Sequence, residues 1–139
     1  MTGLMVCLAV LVATSAFGLW HQRQKGRPTV HKRDDGERLG AAEIGAELGE
    51  RATLLQFSSA FCQPCRATRR TLGEVAGMVE GVAHVEIDAE DHLELVRQLN
   101  VLRTPTVLVL DADGAIVRRA SGQPRKADVI AALGAAVRD

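Results

Sequence analysis

Tyrosine is missing from this 139-residue chain, and its aromatics are three phenylalanines and one tryptophan. A core must therefore be filled by aliphatic side chains and alanine. Cysteine is scarce, with Cys7, Cys62 and Cys65 making three. A small odd number does not build the disulfide framework of a secreted scaffold. With no second Cys-x-x-Cys pair, a structural zinc site lacks its usual ligand set. Net charge is also absent, since 17 Lys and Arg balance 17 Asp and Glu. Nothing global points to nucleic acid. The chain shows no internal repeat and no low-complexity tract, and its length suits one domain plus an appendage.

Charge is locally absent too. No charged residue lies between Gly3 and Trp20. Leu4 to Trp20 gives about 17 residues, roughly 26 Å of helix, at the short end of a bilayer span. Phe17 and Trp20 fall where an interfacial aromatic belt would lie. Arg23, Lys25, Arg27, Lys32 and Arg33 follow the apolar stretch, and no acidic residue appears before Asp34. A cleavable signal peptide carries its basic residues ahead of the apolar stretch. Residues 3–20 therefore read as a retained transmembrane anchor, with a signal peptide as the competing reading. The positive-inside rule places the following domain in the cytoplasm, with an extracytoplasmic domain as the alternative. Cys7 is then an apolar residue within the membrane. Residues 21–38, with Gly26, Pro28, Gly36 and many charges, read as a basic flexible linker. Its cations suit anionic head groups. Without interleaved aromatics they do not form a nucleic-acid patch.

The rest of the chain alternates between two periodicities. Ala41–Leu48 predicts a short helix with Ile44 and Leu48 on one face. Ala52–Ser58 is a short apolar run that reads as a buried strand. From Gln63 to Val79 the apolar residues Ala67, Leu72, Val75, Ala76 and Val79 have helical spacing, and Gly81 ends that segment. Val82–Asp88 reads as a second strand, and Leu93 to Asn100 as a short helix. Thr106–Leu110 is a continuous apolar run, hence a central strand. Asp111-Ala112-Asp113-Gly114 is a hairpin turn signal, with Ala115–Ala120 as the partner strand. Pro124 introduces a last helix with Val129, Ile130, Leu133 and Val137 on one face. The order predicts an α/β domain. A right-handed βαβ crossover is followed by a hairpin, giving a mixed sheet of about four strands with helices on both faces.

Cys62-Gln63-Pro64-Cys65 stands where the first of these strands gives way to a helix. A thiolate there lies near the positive end of a helix dipole, which stabilises it. Position as well as spacing argues for redox chemistry. The alternatives are an inert buried thiol pair, or a metal site completed by His84 or His92. Those histidines fall on a strand and an exposed helix, without ligand roles.

Phe61-Cys62-Gln63-Pro64-Cys65-Arg66 resembles the Trp-Cys-Gly-Pro-Cys-Lys motif of the thioredoxin superfamily. Val101-Leu102-Arg103-Thr104-Pro105-Thr106 resembles the segment that carries its cis-proline, and Asp111–Gly114 sits at the turn of its C-terminal hairpin. The anchor and basic flank resemble membrane-tethered thioredoxin-like proteins of bacteria. The resemblance implies a thioredoxin-like domain over 39–139. It implies Cys62 as the nucleophile, Cys65 as the thiol that resolves the mixed disulfide, and Gln63-Pro64 as the spacer. Pro105 is then cis, and Thr104 offers backbone groups to an extended substrate segment. Phe61 stands where the family has tryptophan, and Arg66 keeps a cation. No bound cofactor or metal is implied beyond the redox-active Cys62–Cys65 disulfide. Protein disulfides are the implied substrates, and the electron donor is a thioredoxin-reductase-like flavoenzyme or a low-molecular-weight thiol. The membrane is a partner through the N-terminal helix, and nucleic acid is not.

Two departures bear on mechanism. The family often has a buried aspartate six residues before the first cysteine, thought to assist proton transfer. Gln56 has that place here and cannot serve as a general base near neutral pH. His84 replaces a lysine near that aspartate, so the charged pair is lost together. Three functions compete: a membrane-surface disulfide reductase, an extracytoplasmic reductant of apocytochrome or secreted-protein disulfides, and a binding module using the cis-proline groove.

Overall fold

The computed structural model describes residues 1–25, 31–32 and 37–137. Helix α1 (Thr2–Lys25) stands apart from the rest, its side chains exposed as far as Trp20. Thr2–Trp20 has mean hydropathy 2.1 and no buried share. It is long and apolar enough to cross a membrane, as a signal sequence near an N-terminus also is. Phe17 and Trp20 meet edge to face, 6.5 Å between ring centroids.

The remaining elements are β1 (His31–Lys32), α2 (Ala41–Ile44), β2 (Ala52–Ser58), α3 (Gln63–Met78), β3 (Val82–Asp88), α4 (Leu93–Gln98), β4 (Thr106–Asp111), β5 (Ile116–Ser121) and α5 (Lys126–Ala136). The strands form one sheet in the order β1-β5-β4-β2-β3. β2 runs parallel to β3 and antiparallel to β4, and β4 is antiparallel to β5. This is the expected mixed four-stranded thioredoxin-like sheet, with one two-residue strand added at its edge. β1 lies within the span expected to be linker, 21–38, half of which falls outside the described residues. His31 and Lys32 pair with Arg119 and Arg118 through backbone that β5 leaves open. Arg38 bridges Ala115 further along the same edge.

Two apolar layers hold the helices to the sheet. On one face, Leu55, Phe57, Ile87, Leu108 and Leu110 pack with Ile44 of α2 and Leu95 of α4. On the other, Leu54, Val107 and Val109 pack with Leu72 and Val75 of α3 and with Val129 and Leu133 of α5. Each such side chain contributes about 1.5–3 kcal/mol on burial. α2 is shorter than the sequence predicts, because Gly45 closes it in the left-handed region at φ 72°. Leu48 still packs against the core. Ile130, expected on the buried face of α5, is 45% exposed, and Ala136 is buried instead. The helix meets the sheet through the narrower stripe of Val129, Leu133 and Ala136. Gly114 turns the β4–β5 hairpin at φ 83°, and a Cβ there would strike the Leu39 carbonyl.

Candidate active site

β2 carries the site. All seven of its residues are buried, so its C-terminal end is held rigidly at the rim of the sheet. Four residues later, Cys62 is the N-cap of α3, with Pro64 in the first turn. Proline suits that turn because the amide it lacks has no helical partner there. Cys62 and Cys65 are joined in a disulfide with Cα atoms 5.2 Å apart. The Cys65 N–H donates to Cys62 Sγ at 3.2 Å. Cys62 is half-buried, while Cys65 is 2% exposed. The pair therefore has an outer sulfur and an inner one. Phe61 is fully exposed and holds φ 59°, a conformation that costs a non-glycine residue about 1–2 kcal/mol.

The loop before β4 reaches the same rim. The Thr104–Pro105 peptide bond is cis, and Pro105 is buried. Thr104 Oγ1 lies 2.7 Å from Ser59 Oγ, which ties this loop to the one leading into the disulfide. Gly122 N–H donates to the Pro105 carbonyl at 2.8 Å, and the Arg103 guanidinium donates to the Ser121 carbonyl at 2.9 Å. Cys62, Cys65, Phe61, Thr104 and Pro105 thus share one end of the sheet. Gln63 is exposed there beside them.

Gln56 lies behind the disulfide, fully buried. Its side-chain amide donates to the Cys65 carbonyl at 2.9 Å and to Ser58 Oγ at 3.0 Å. A carbonyl can only accept, so Gln56 Nε2 must face Cys65 and Oε1 must face the other way. There it lies 3.1 Å from His84 Nε2, which fixes His84 as the Nε2–H donor. Beyond His84, Glu86 forms a bidentate pair with Arg69 of α3, both contacts 2.7 Å. Sequence reasoning placed Gln56 here but missed Ser58, Ser59 and the bond that makes His84 its partner. The doublet Ser58-Ser59 between a buried strand and the motif was the available signal.

Burial holds His84 below the ordinary histidine range, with Glu86 opposing that shift and Arg69 adding to it. The unfolded chain then binds a proton more readily than the folded one. This contribution to stability is intact above the unfolded value of about 6.5 and falls as pH drops toward the folded value. His84→Gln is expected to remove that part of the acid loss, read by urea unfolding at stepped pH. A pH profile identical to wild type would assign the loss to other groups.

Among the described residues, no group of three His, Cys, Asp or Glu side chains is placed to hold a metal ion. The family model described as Thioredoxin matches residues 42–135. The human protein "Thioredoxin domain-containing protein 2" is 35% identical over 60 residues, 43% of this chain and 11% of that protein. The chain thus spans about a tenth of that relative's length. The thioredoxin of Mycoplasma genitalium is 26% identical over 77 residues, 55% of this chain and 74% of its own. Among solved structures, a mutant thioredoxin from Halobacterium salinarum aligns with TM-score 0.59 at 19% identity, covering 65% of this chain and 78% of its own. Thioredoxin f from spinach chloroplast gives TM-score 0.57 at 20% identity, over 76% of this chain and 89% of its own. At these identities the structures carry the fold.

Proposed function

The chain belongs to the thioredoxin family, and on that premise we propose that it is a thiol–disulfide oxidoreductase that reduces protein disulfides at a membrane surface. The observation that carries this reading is the division of the Cys62–Cys65 pair into an outer and an inner sulfur at the N-terminus of α3. In the reduced protein, the Cys62 thiolate faces the Cys65 N–H and the positive end of the helix, and both favour the anion. Cys62 attacks one sulfur of a substrate disulfide. The substrate S–S bond breaks, and the departing thiolate takes up a proton. Cys65 then gives up its proton and attacks Cys62 Sγ. The mixed disulfide breaks, the second substrate thiol leaves, and the protein is left with the Cys62–Cys65 disulfide. Two electrons have passed to the substrate. A thioredoxin-reductase-like flavoenzyme or a small thiol restores the dithiol.

Thr104 and Pro105 lie at the same end of the sheet as the outer sulfur, tied to its loop through Ser59, which suits them to hold an extended substrate segment during attack. Gln56 places an amide where a carboxylate would accept a proton, so the Cys65 proton leaves through water or to the departing thiolate. Residues 3–20 act as the anchor, 21–38 as the connection, which lends His31 and Lys32 to the sheet edge, and 39–139 as the catalytic domain, on the cytoplasmic side.

The test uses cells carrying the full chain. Membranes from lysed cells are expected to reduce insulin disulfides with dithiothreitol as donor, and Cys62→Ser membranes are not. In intact cells a membrane-impermeant thiol reagent should leave Cys62 unlabelled. Full activity in Cys62→Ser would overturn the chemistry. Labelling without lysis would move the domain to the outer side.

A further inference from the structure

The direction of β1 distinguishes the two ends of the sheet. β5 runs from Ile116 to Ser121, and Ser121 pairs with Thr106 at the start of β4. Thr106 in turn pairs with Phe57 near the end of β2. Ser121 therefore lies at the dithiol end, beside the Pro105 loop, and Ile116 lies at the opposite end. β1 is antiparallel to β5, with His31 opposite Arg119 and Lys32 opposite Arg118. Chain direction along this edge is thus away from the dithiol, and Arg38 reaches Ala115 at the far end. His31, the first residue of β1, is therefore at the dithiol-facing end of that strand. His31 is level with a residue two short of Ser121, about 7 Å along the strand. Only the stretch 26–30 separates Lys25 from His31, a reach of at most about 20 Å.

The two ends also differ in surface. At the dithiol end, Phe61 is 100% and Leu102 86% exposed, with exposed Arg66 and Arg103 beside them. Asp88, the last residue of β3, pairs with Ser58, so Asp88, Glu90 and Asp91 belong to this same end, but on the sheet edge away from β1. The opposite end presents Glu47, Glu50, Glu80 and Asp113 against Arg38 and Arg51. An anionic lipid surface attracts arginine and accepts apolar tips, and it repels carboxylates, so the part of the dithiol end that suits it is the β5 side, where Arg103 holds the Ser121 carbonyl beside Leu102.

We propose that the domain stands on the bilayer with its dithiol end toward the lipid, so that Cys62 acts on disulfides of proteins embedded in or lying against the same membrane. This rests on α1 being a retained anchor and on Cys62–Cys65 being a working dithiol. Soluble disulfides diffusing past the opposite end meet an acidic surface without a thiol.

Depth-dependent quenching tests the orientation. The full chain, with Cys7, Cys62 and Cys65 replaced by serine, is placed in phosphatidylcholine–phosphatidylglycerol vesicles containing a head-group nitroxide. A fluorophore sits on Leu102→Cys in one sample and Asp113→Cys in another. The label at 102 is expected to be quenched several-fold more than the label at 113. Equal quenching, or more at 113, would overturn the proposal. The pair Arg103→Cys and Glu80→Cys gives the same comparison should a first variant fail to fold. Release of the chain by alkaline wash would overturn it through the anchor. With the cysteines intact, a disulfide peptide tethered to lipid should be reduced several-fold faster than the same peptide in solution. Equal rates would remove the substrate assignment. Quenching needs no activity, so failure of the dithiol chemistry and failure of the orientation are read separately.

Discussion

Cys65→Ser is expected to turn a catalyst into a trap. Cys62 remains able to attack, because it is the half-buried sulfur at the helix N-terminus. The inner thiol that would release the product is gone, so substrate stays joined to Cys62 as a mixed disulfide. Release must then wait for a thiol from solution. An intramolecular attack by a well-placed group corresponds to effective concentrations on the order of 10⁵ M or more. Turnover of a protein disulfide should therefore fall by at least about a thousandfold. Non-reducing electrophoresis should show adducts that dithiothreitol removes, and Cys62→Ser in the same background should abolish them. The fold should tolerate the change, since serine is close in size and the Cys65 backbone keeps its contact with Gln56. Unimpaired turnover in Cys65→Ser would mean that Cys62 works with an external thiol alone. Adducts that survive removal of Cys62 would place the reactive sulfur elsewhere. A binding module using the cis-proline groove predicts neither adducts nor loss, only unchanged partner binding.

The legible parts of this chain were those written in local periodicity. β2, α3, β3 and β4 follow from apolar runs and helical spacing, and the structure places them within a residue or so of the expected bounds. The order of these elements carried the topology, since a parallel crossover followed by a hairpin leaves few arrangements. What escaped was set by tertiary pairing. His31 and Lys32 are polar and carry no strand pattern, and they are strand only because β5 offers an open edge. Ile130 has the right spacing for the core but falls outside the stripe that α5 presents to the sheet. Within the site, the motif announced both cysteines and Pro105. Its supports lie far apart in sequence: Ser59 meets Thr104 across 45 residues, and Gln56 meets His84 across 28. No local pattern encodes a bond of that kind.

Gln56 should show the largest separation between stability and rate. Its amide is fully buried, with all three of its contacts going to protein groups: Ser58, the Cys65 carbonyl and His84. Gln56→Leu keeps the volume and removes every contact. A buried polar group left without a partner costs about 1–3 kcal/mol. The Ser58 hydroxyl and the His84 N–H both lose theirs, so the variant should be less stable by about 2–4 kcal/mol, read as a lower midpoint in urea at unchanged slope. The Cys65 carbonyl still faces the helix, so its loss is the smaller part. Gln56→Asp tests the other property of the position. A carboxylate accepts a proton where an amide does not, and thiol–disulfide exchange followed by stopped flow at neutral pH should be faster than in the wild type. The same substitution turns an acceptor toward the Cys65 carbonyl, also an acceptor, so stability should fall even as the rate rises. A rate and pH profile identical to wild type would show that proton transfer at Cys65 never depended on this side chain. A stability unchanged in Gln56→Leu would show that the bonds to Ser58 and His84 are replaced by water. If both substitutions act as expected, the amide is a structural brace that gives up speed, holding the inner cysteine in register at the cost of a base beside it.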